Sequence, residues 1–316
     1  MSSDDLERDL VMEFVRVTEK AALACYSEIG RGDEKAADAA AVKGMREALN
    51  GLPINGVVVI GEGERDEAPM LFIGEEVGSG GQGVDLAMDP LEGTTICAKN
   101  MPNSLAVIAA TPKGGMLNAP DVYMDKIAVG GGLPDGVIDL DKSPTENAKA
   151  VAAAKGKDIT EICVCVLDRP RHAEIIKELR SIGCAIKLIG DGDVAGVIAA
   201  TKTSTMVDMY IGSGGAPEGV LAAAALRCIG GQFQGRLVFR NDDERARAKK
   251  WGITDLNRKY CLEELVSKEV IFSATGVTDG DMVEGVHKTA DGFTTETLVL
   301  RSSSKTVRYV KGHHVA

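Results

Sequence analysis

The chain has 316 residues, 44% of them hydrophobic and 26% charged, with a formal net charge of −11. This is material for two ordinary domains or one large one, with ample apolar content for a core and no disorder-like composition. So acidic a balance excludes a general nucleic-acid or anionic-membrane binder, and a phosphorylated ligand would need metal ions, basic side chains or helix N-termini at its own site.

No apolar run reaches the roughly 18 residues of a membrane helix. The start, MSSDDLERDL, lacks the basic and apolar regions of a signal peptide, so a cytoplasmic protein, or a mature organellar one, is expected. The seven cysteines form no C-x-x-C pair, and Cys163 and Cys165 alternate with apolar residues like one face of a buried strand. Neither disulfides nor a zinc site is expected from them.

Residues 4–29 carry Leu6, Leu10, Phe14, Val17, Ala21, Ala24 and Ile29 at three- and four-residue spacing, which predicts a long amphipathic helix. Gly30 and Gly32 end it, and Asp33 is placed to cap a second helix running to about Asn50. Val57–Ile60 reads as a buried strand delivering Gly61-Glu62-Gly63-Glu64-Arg65-Asp66. After MLFIG and GSGGQG, Val84, Leu86 and Met88 alternate with Asp85, Ala87 and Asp89 as in a strand. SLAVIAA predicts a further strand.

Beyond about residue 158 the rhythm changes. ICVCVL, AIKLI and MVDMYI read as strands, each followed by a helical segment, which predicts parallel βαβ units. The expected division is 1–158 and 159–316, within AAAKGKDIT. NDDERARAKK reads as a solvated loop or helix face. Apolar helices at both ends of the chain would suit a homodimer or tetramer.

Gly78-Ser-Gly80-Gly-Gln-Gly83 matches G-x-G-x-x-G, but the following segment alternates like a strand instead of opening a helix. A flexible hairpin loop is the expectation. The acidic motifs carry more. GEGERD sets Glu62, Glu64 and Asp66 after a buried strand, where α/β proteins build sites, although acidic surface turns are common. In DPLEGTT, Asp89 ends a strand, Pro90 turns the chain and Glu92 follows. Two hard oxygen donors this close suit Mg²⁺ or Mn²⁺, and Gly93-Thr94 offers N–H groups and a hydroxyl to a phosphate; a capped helix start is the plain alternative. GSGGAPEGV repeats that grammar, with Glu218 near a helix start beside Gly215 and able to complete a metal shell. A basic pair at a helix start opposes the helix dipole, so Arg171 suits an anion better than it suits the helix. Asp191 and Asp193 read as an N-cap turn or as acceptors for sugar hydroxyls. Together these residues describe in-line phosphoryl displacement between paired metal ions.

In this order, GEGE…DEAPM, DPLEGT, APDVYM, DRPRH, DGD and GGAPEGV resemble class II fructose-1,6-bisphosphatase from about residue 10 to 310. DRPRH and DKSPTEN look most like the cyanobacterial members, some of which also accept sedoheptulose-1,7-bisphosphate. The resemblance implies the layered α/β fold of the lithium-sensitive sugar phosphatases, with a metal-binding first domain and a second that helps bind substrate. It implies two or more Mg²⁺ or Mn²⁺ ions on Asp38, Glu62, Asp89, Glu92 and Glu218. It implies substrate contacts from Glu92-Gly93-Thr94, Tyr123, Arg169-Pro170-Arg171, Asp191-Gly192-Asp193 and Gly215. Thr94 would position the attacking water with Asp38 or Asp66 as its acidic partner. The implied reaction is hydrolysis of the 1-phosphate of fructose-1,6-bisphosphate; the alternatives are the dual bisphosphatase or another small sugar or inositol phosphatase. Where many relatives carry GDKNTAD, this chain has Glu34-Lys35, which leaves the role of Lys35 open.

Overall fold

The structure, a computed structural model, describes residues 6–63, 70–202 and 205–315. The chain is mixed α/β and divides into two units, Met1–Leu117 with Lys268–Ala316, and Asn118–Ser267. In the first unit the order is α1 (Leu10–Cys25), α2 (Glu34–Asn50), β1 (Ile54–Ile60), β2 (Glu76–Val77), β3 (Gln82–Glu92), α3 (Thr94–Ala98) and β4 (Leu105–Pro112). The second unit carries β5 (Tyr123–Gly130), α4 (Pro144–Lys155), β6 (Cys163–Leu167), α5 (Ala173–Ser181), β7 (Ala185–Ile189), α6 (Asp193–Ala199) and β8 (Met209–Gly215). It continues through α7 (Ala216–Ile229), β9 (Gly231–Val238), α8 (Asp242–Lys250), β10 (Lys259–Cys261) and α9 (Leu262–Leu265). The chain then returns to the first unit with β11 (Ile271–Gly276), β12 (His287–Lys288), β13 (Gly292–Arg301) and β14 (Thr306–Val315).

Among the described residues the first unit holds an eight-stranded sheet ordered β12-β13-β11-β4-β3-β1-β2, with β14 beside β13. Only β1 and β3 run parallel in it. Leu10, Phe14, Val17 and Ala21 are buried, as their spacing requires, and α1 packs against α2 and the sheet. The helix is shorter than 4–29. The backbone at Leu6 is held by tertiary bonds, its N–H donating to Glu269 Oε2 at 2.8 Å and its carbonyl accepting from Arg301 at 2.7 Å. At the other end a 3₁₀ turn, Tyr26–Glu28, follows Cys25. Asp33 caps α2 as expected, accepting from the Ala36 N–H at 3.0 Å.

The second unit's sheet is ordered β10-β9-β5-β8-β6-β7. The parallel βαβ expectation holds for β6 with β7 and with β8, whereas β5, β9 and β10 pair antiparallel. The boundary expected near residue 158 falls inside this unit, because β5 lies between β8 and β9 and takes residues 118–158 with it. The helix expected at the C-terminal end is instead the antiparallel pair β13–β14.

The glycine-rich segment at 78–83 is not a hairpin. β2 and β3 lie on opposite sides of β1, and the loop crosses the β1 end with Gly78 and Gly81 pressed on its backbone. A Cβ at Gly78 would sit 2.1 Å from the Ile54 carbonyl, and one at Gly81 2.1 Å from that of Pro53. These glycines serve backbone packing, and no helix opens after them.

Candidate active site

In the first unit, Asp38 projects from α2, Glu62 follows the end of β1, Asp89 and Glu92 belong to β3, and Thr94 begins α3. Glu62 is fixed by its backbone, which donates to the Leu71 carbonyl at 3.1 Å. Gly61 permits that crossing, since a Cβ there would lie 2.0 Å from the same oxygen. Burial, and then the negative charge of Asp38, push the Glu62 carboxyl up to about 8. Burial also raises Asp38. Glu64 and Asp66 lie outside the described residues. Lys35 is exposed in the first turn of α2.

Asp89 does not end its strand, as the sequence suggested. β3 continues to Glu92 across an irregularity against β4 between Asp89 and Glu92. Pro90 has no N–H for the ladder, and Asp89 Oδ1 accepts the Leu91 N–H at 3.1 Å instead. Ser104 Oγ then donates to the Glu92 carbonyl at 3.1 Å, and Gly93, at φ +83°, turns the chain into α3. Glu92 is buried and Thr94 half-buried at the first helical position.

In the second unit, Tyr123 opens β5, paired with Gly215 on β8 and Val238 on β9. The guanidinium carbons of Arg171 and Arg240 lie 5.0 and 4.9 Å from the centroid of its ring. Arg171 is aimed from a 3₁₀ turn, Pro170–His172, that Arg169 precedes. That turn is tied to Ser213 twice. Arg171 Nε donates to the Ser213 carbonyl at 2.8 Å, and the Ser213 N–H donates to His172 Nε2 at 2.8 Å. His172 Nδ1 meets the Leu167 carbonyl at 2.8 Å, which makes it the protonated nitrogen. Burial is the first cause holding the His172 pKa below its ordinary value.

The stretch GSGG is the end of β8 and not a turn. Its glycines make room for charge. Lys126, fully buried on β5, is ion-paired with the buried Asp193, whose other oxygen accepts from Tyr210 at 2.9 Å. A Cβ at Gly214 would sit 2.0 Å from Asp193 Oδ2, and one at Gly215 2.0 Å from Glu218 Oε2. Glu218 Oε2 is buried without a hydrogen bond among the described residues, 3.9 Å from the Lys126 ammonium. Because that ammonium is committed to Asp193, burial still raises the Glu218 carboxyl. Asp193 is therefore occupied within the fold, whereas Asp191 is half-buried beside the left-handed Gly192. Lys126 and Tyr210 are the functional neighbours that sequence reasoning missed. The signal for Lys126 was its position between Met124 and Ala128 on one face of an apolar strand.

Residues 8–314 match the family described as bacterial fructose-1,6-bisphosphatase, glpX-encoded. The chain belongs to that bisphosphatase family. Its relatives include fructose-1,6-bisphosphatase 1 class 2 of Escherichia coli K12, 46% identical over 324 aligned positions covering 98% of this chain and 96% of the relative. The class 2 enzymes of Escherichia coli O6:H1 and Shigella flexneri match to the same extent.

The candidate ligands of this bisphosphatase family member are all carboxylates, the donor set of hard divalent cations. Their state suits a divalent cation: burial raises both Asp38 and Glu62, the charge of Asp38 raises Glu62 further, and Glu218 Oε2 has no hydrogen bond among the described residues. Among the described residues no three His, Cys, Asp or Glu side chains are gathered around one point. Among the described residues no helix is long and apolar enough to cross a membrane.

Proposed function

We propose that the chain hydrolyses fructose-1,6-bisphosphate at its 1-phosphate, releasing fructose-6-phosphate and inorganic phosphate. The observation that carries this reading is the family match across residues 8–314; the carboxylates and the arginine-flanked tyrosine supply its chemistry. Asp38, Glu62, Asp89 and Glu92 of the first unit, with Glu218 of the second, are assigned as ligands for two or more Mg²⁺ or Mn²⁺ ions. When bound, such ions draw negative charge from the transferred phosphoryl group and the leaving oxygen.

The protein's own groups do the rest. The Glu92-Gly93-Thr94 turn holds the transferred phosphate, and the Thr94 hydroxyl orients the attacking water, with Asp38 or Asp66 accepting its proton. Arg169 and Arg171, on their Pro170 turn, hold the 6-phosphate. Tyr123, Asp191, Gly192 and Gly215 contact the sugar. Asp193 supports that surface from behind through Lys126 and Tyr210. We assign the finer fold to the lithium-sensitive phosphatase group, the location to the cytoplasm, and the assembly to a homodimer or homotetramer.

The test is phosphate release from fructose-1,6-bisphosphate with Mg²⁺ or Mn²⁺, repeated after chelation and with sedoheptulose-1,7-bisphosphate alongside. Release that stops on chelation and returns with metal is expected. No release from either sugar with either metal would overturn the substrate assignment.

A further inference from the structure

Arg240 has an arrangement that the proposed chemistry leaves unused. It lies two residues beyond Val238, the β9 partner of Tyr123. It thus approaches the tyrosine from one neighbouring strand of β5, while Arg171 approaches from the other through its bond to Ser213 of β8. Both guanidiniums lie within about 5 Å of one ring, 5.0 and 4.9 Å from its centroid.

Arg240 is held there by a carboxylate that is itself buried. Glu244 on α8 is 1% exposed, and its Oε1 accepts from Arg240 Nε at 2.7 Å while its Oε2 accepts the Arg240 backbone N–H at 2.7 Å. Burial pushes the Glu244 carboxyl up, but these bonds outweigh it and hold the group below its usual range. Helix α8 is anchored in turn: Asn241 caps it, and Arg247 donates to the carbonyl of Asp121, two residues before Tyr123. Such immobilisation of an arginine costs side-chain entropy, yet the Arg240 side chain stays 58% exposed and its Nη1 has no acceptor among the described residues. An ion pair serving stability alone has no need of the tyrosine or of that open fork. A preorganised guanidinium with an unused N–H edge is the form in which proteins hold phosphate.

Arg171 brings only its terminal amino groups to a phosphate dianion, because its Nε is already given to the Ser213 carbonyl. The surroundings are also acidic: Asp121, Asp191 and Asp193 all weigh on the nearby Glu218. Resting on the bisphosphatase reading above, we propose that Arg240 is a third arginine of the distal-phosphate subsite, sharing the 6-phosphate of the sugar with Arg169 and Arg171 and selecting bisphosphates over monophosphates.

The experiment compares competitive inhibition of the whole enzyme by fructose-6-phosphate, which carries the distal phosphate, and by fructose-1-phosphate, which lacks it. Arg240→Ala is expected to raise the KM for fructose-1,6-bisphosphate and the Ki for fructose-6-phosphate about tenfold each. The Ki for fructose-1-phosphate should rise less than about twofold, and Arg240→Lys should recover part of the loss. Arg240→Ala leaves Glu244 buried without its cation, so Arg240→Ala/Glu244→Gln is measured alongside and should show the same selective loss. Equal weakening of both inhibitors, or a change in melting temperature with no change in either Ki, would overturn the proposal. If Arg171→Ala raises the Ki for fructose-6-phosphate and Arg240→Ala does not, Arg240 is excluded while the bisphosphatase reading stands. Absence of turnover in the unaltered enzyme would instead strike the reading on which the proposal rests.

Discussion

Asp193 shows how one side chain can serve a site without facing it. An exposed sugar ligand can be removed at little cost to stability, but Asp193 shares a buried ion pair with Lys126 and a hydrogen bond with Tyr210. Removing one partner of such a pair leaves a buried charge and costs about 3–5 kcal/mol. Asp193→Ala is therefore expected to lower the urea-unfolding free energy by that order, and a loss of activity at unchanged stability would reassign it to the substrate. Gly215 makes the opposite prediction. The atom that a Cβ there would strike, 2.0 Å away, is the end of the flexible Glu218 side chain and can move aside. Gly215→Ala should keep its melting temperature and weaken Mn²⁺ binding by about 10- to 100-fold, read by titration calorimetry without substrate. Unchanged Mn²⁺ affinity would remove Glu218 from the ligand set.

At the scale of elements, the turn that begins α5 is fastened to β8 through a neutral imidazole. His172 accepts the Ser213 N–H through Nε2, so protonation destroys that bond. Its pKa is depressed in the fold, so the unfolded chain binds the proton more tightly. The stabilisation is present above the unfolded value of about 6.5 and is lost as pH falls through and below it. The melting temperature should fall with acidification in that window, and by less in His172→Gln; parallel pH profiles for the two proteins would refute the coupling. Local elements were legible in the sequence where one chain segment decides them. The Asp33 cap on α2 and the period of α1 are of this kind. The bend at Asp89 was also legible through Pro90, although the strand continues past it because Glu92 regains a partner on β4. Asp193 reads from the sequence as part of an N-cap turn or as an acceptor for sugar hydroxyls, and its buried pairing is not legible there because its cation, Lys126, is 67 residues away in the chain. Cys97 lies close to the DPLEGTT motif. It is fully buried, and burial with the charge of Glu28 pushes its thiol up to about 11, which opposes thiolate chemistry.

For the whole molecule, the division into units was the least legible feature, since strand rhythm does not say which sheet a strand joins. β5 and β9 are sequence neighbours of different elements yet pair side by side, and β4 finds its partner in β11. The second unit is continuous and has its own apolar core around Val129, Val151, Val164 and Leu179. A fragment of residues 118–267 is expected to fold alone, with cooperative thermal unfolding by circular dichroism, whereas residues 1–117 should not, because β4 lacks β11. Cooperative folding of the 1–117 fragment would contradict this. The same interruption sets an order during synthesis. β4 leaves the ribosome about 160 residues before β11, a wait of roughly 8–30 s at about 5–20 residues per second. Throughout it the nascent chain carries an unfinished, largely apolar strand while the inserted unit is already able to close. Newly made chains should therefore depend on a chaperone that shields the β4 edge until the last segment emerges, a need that the finished protein no longer shows.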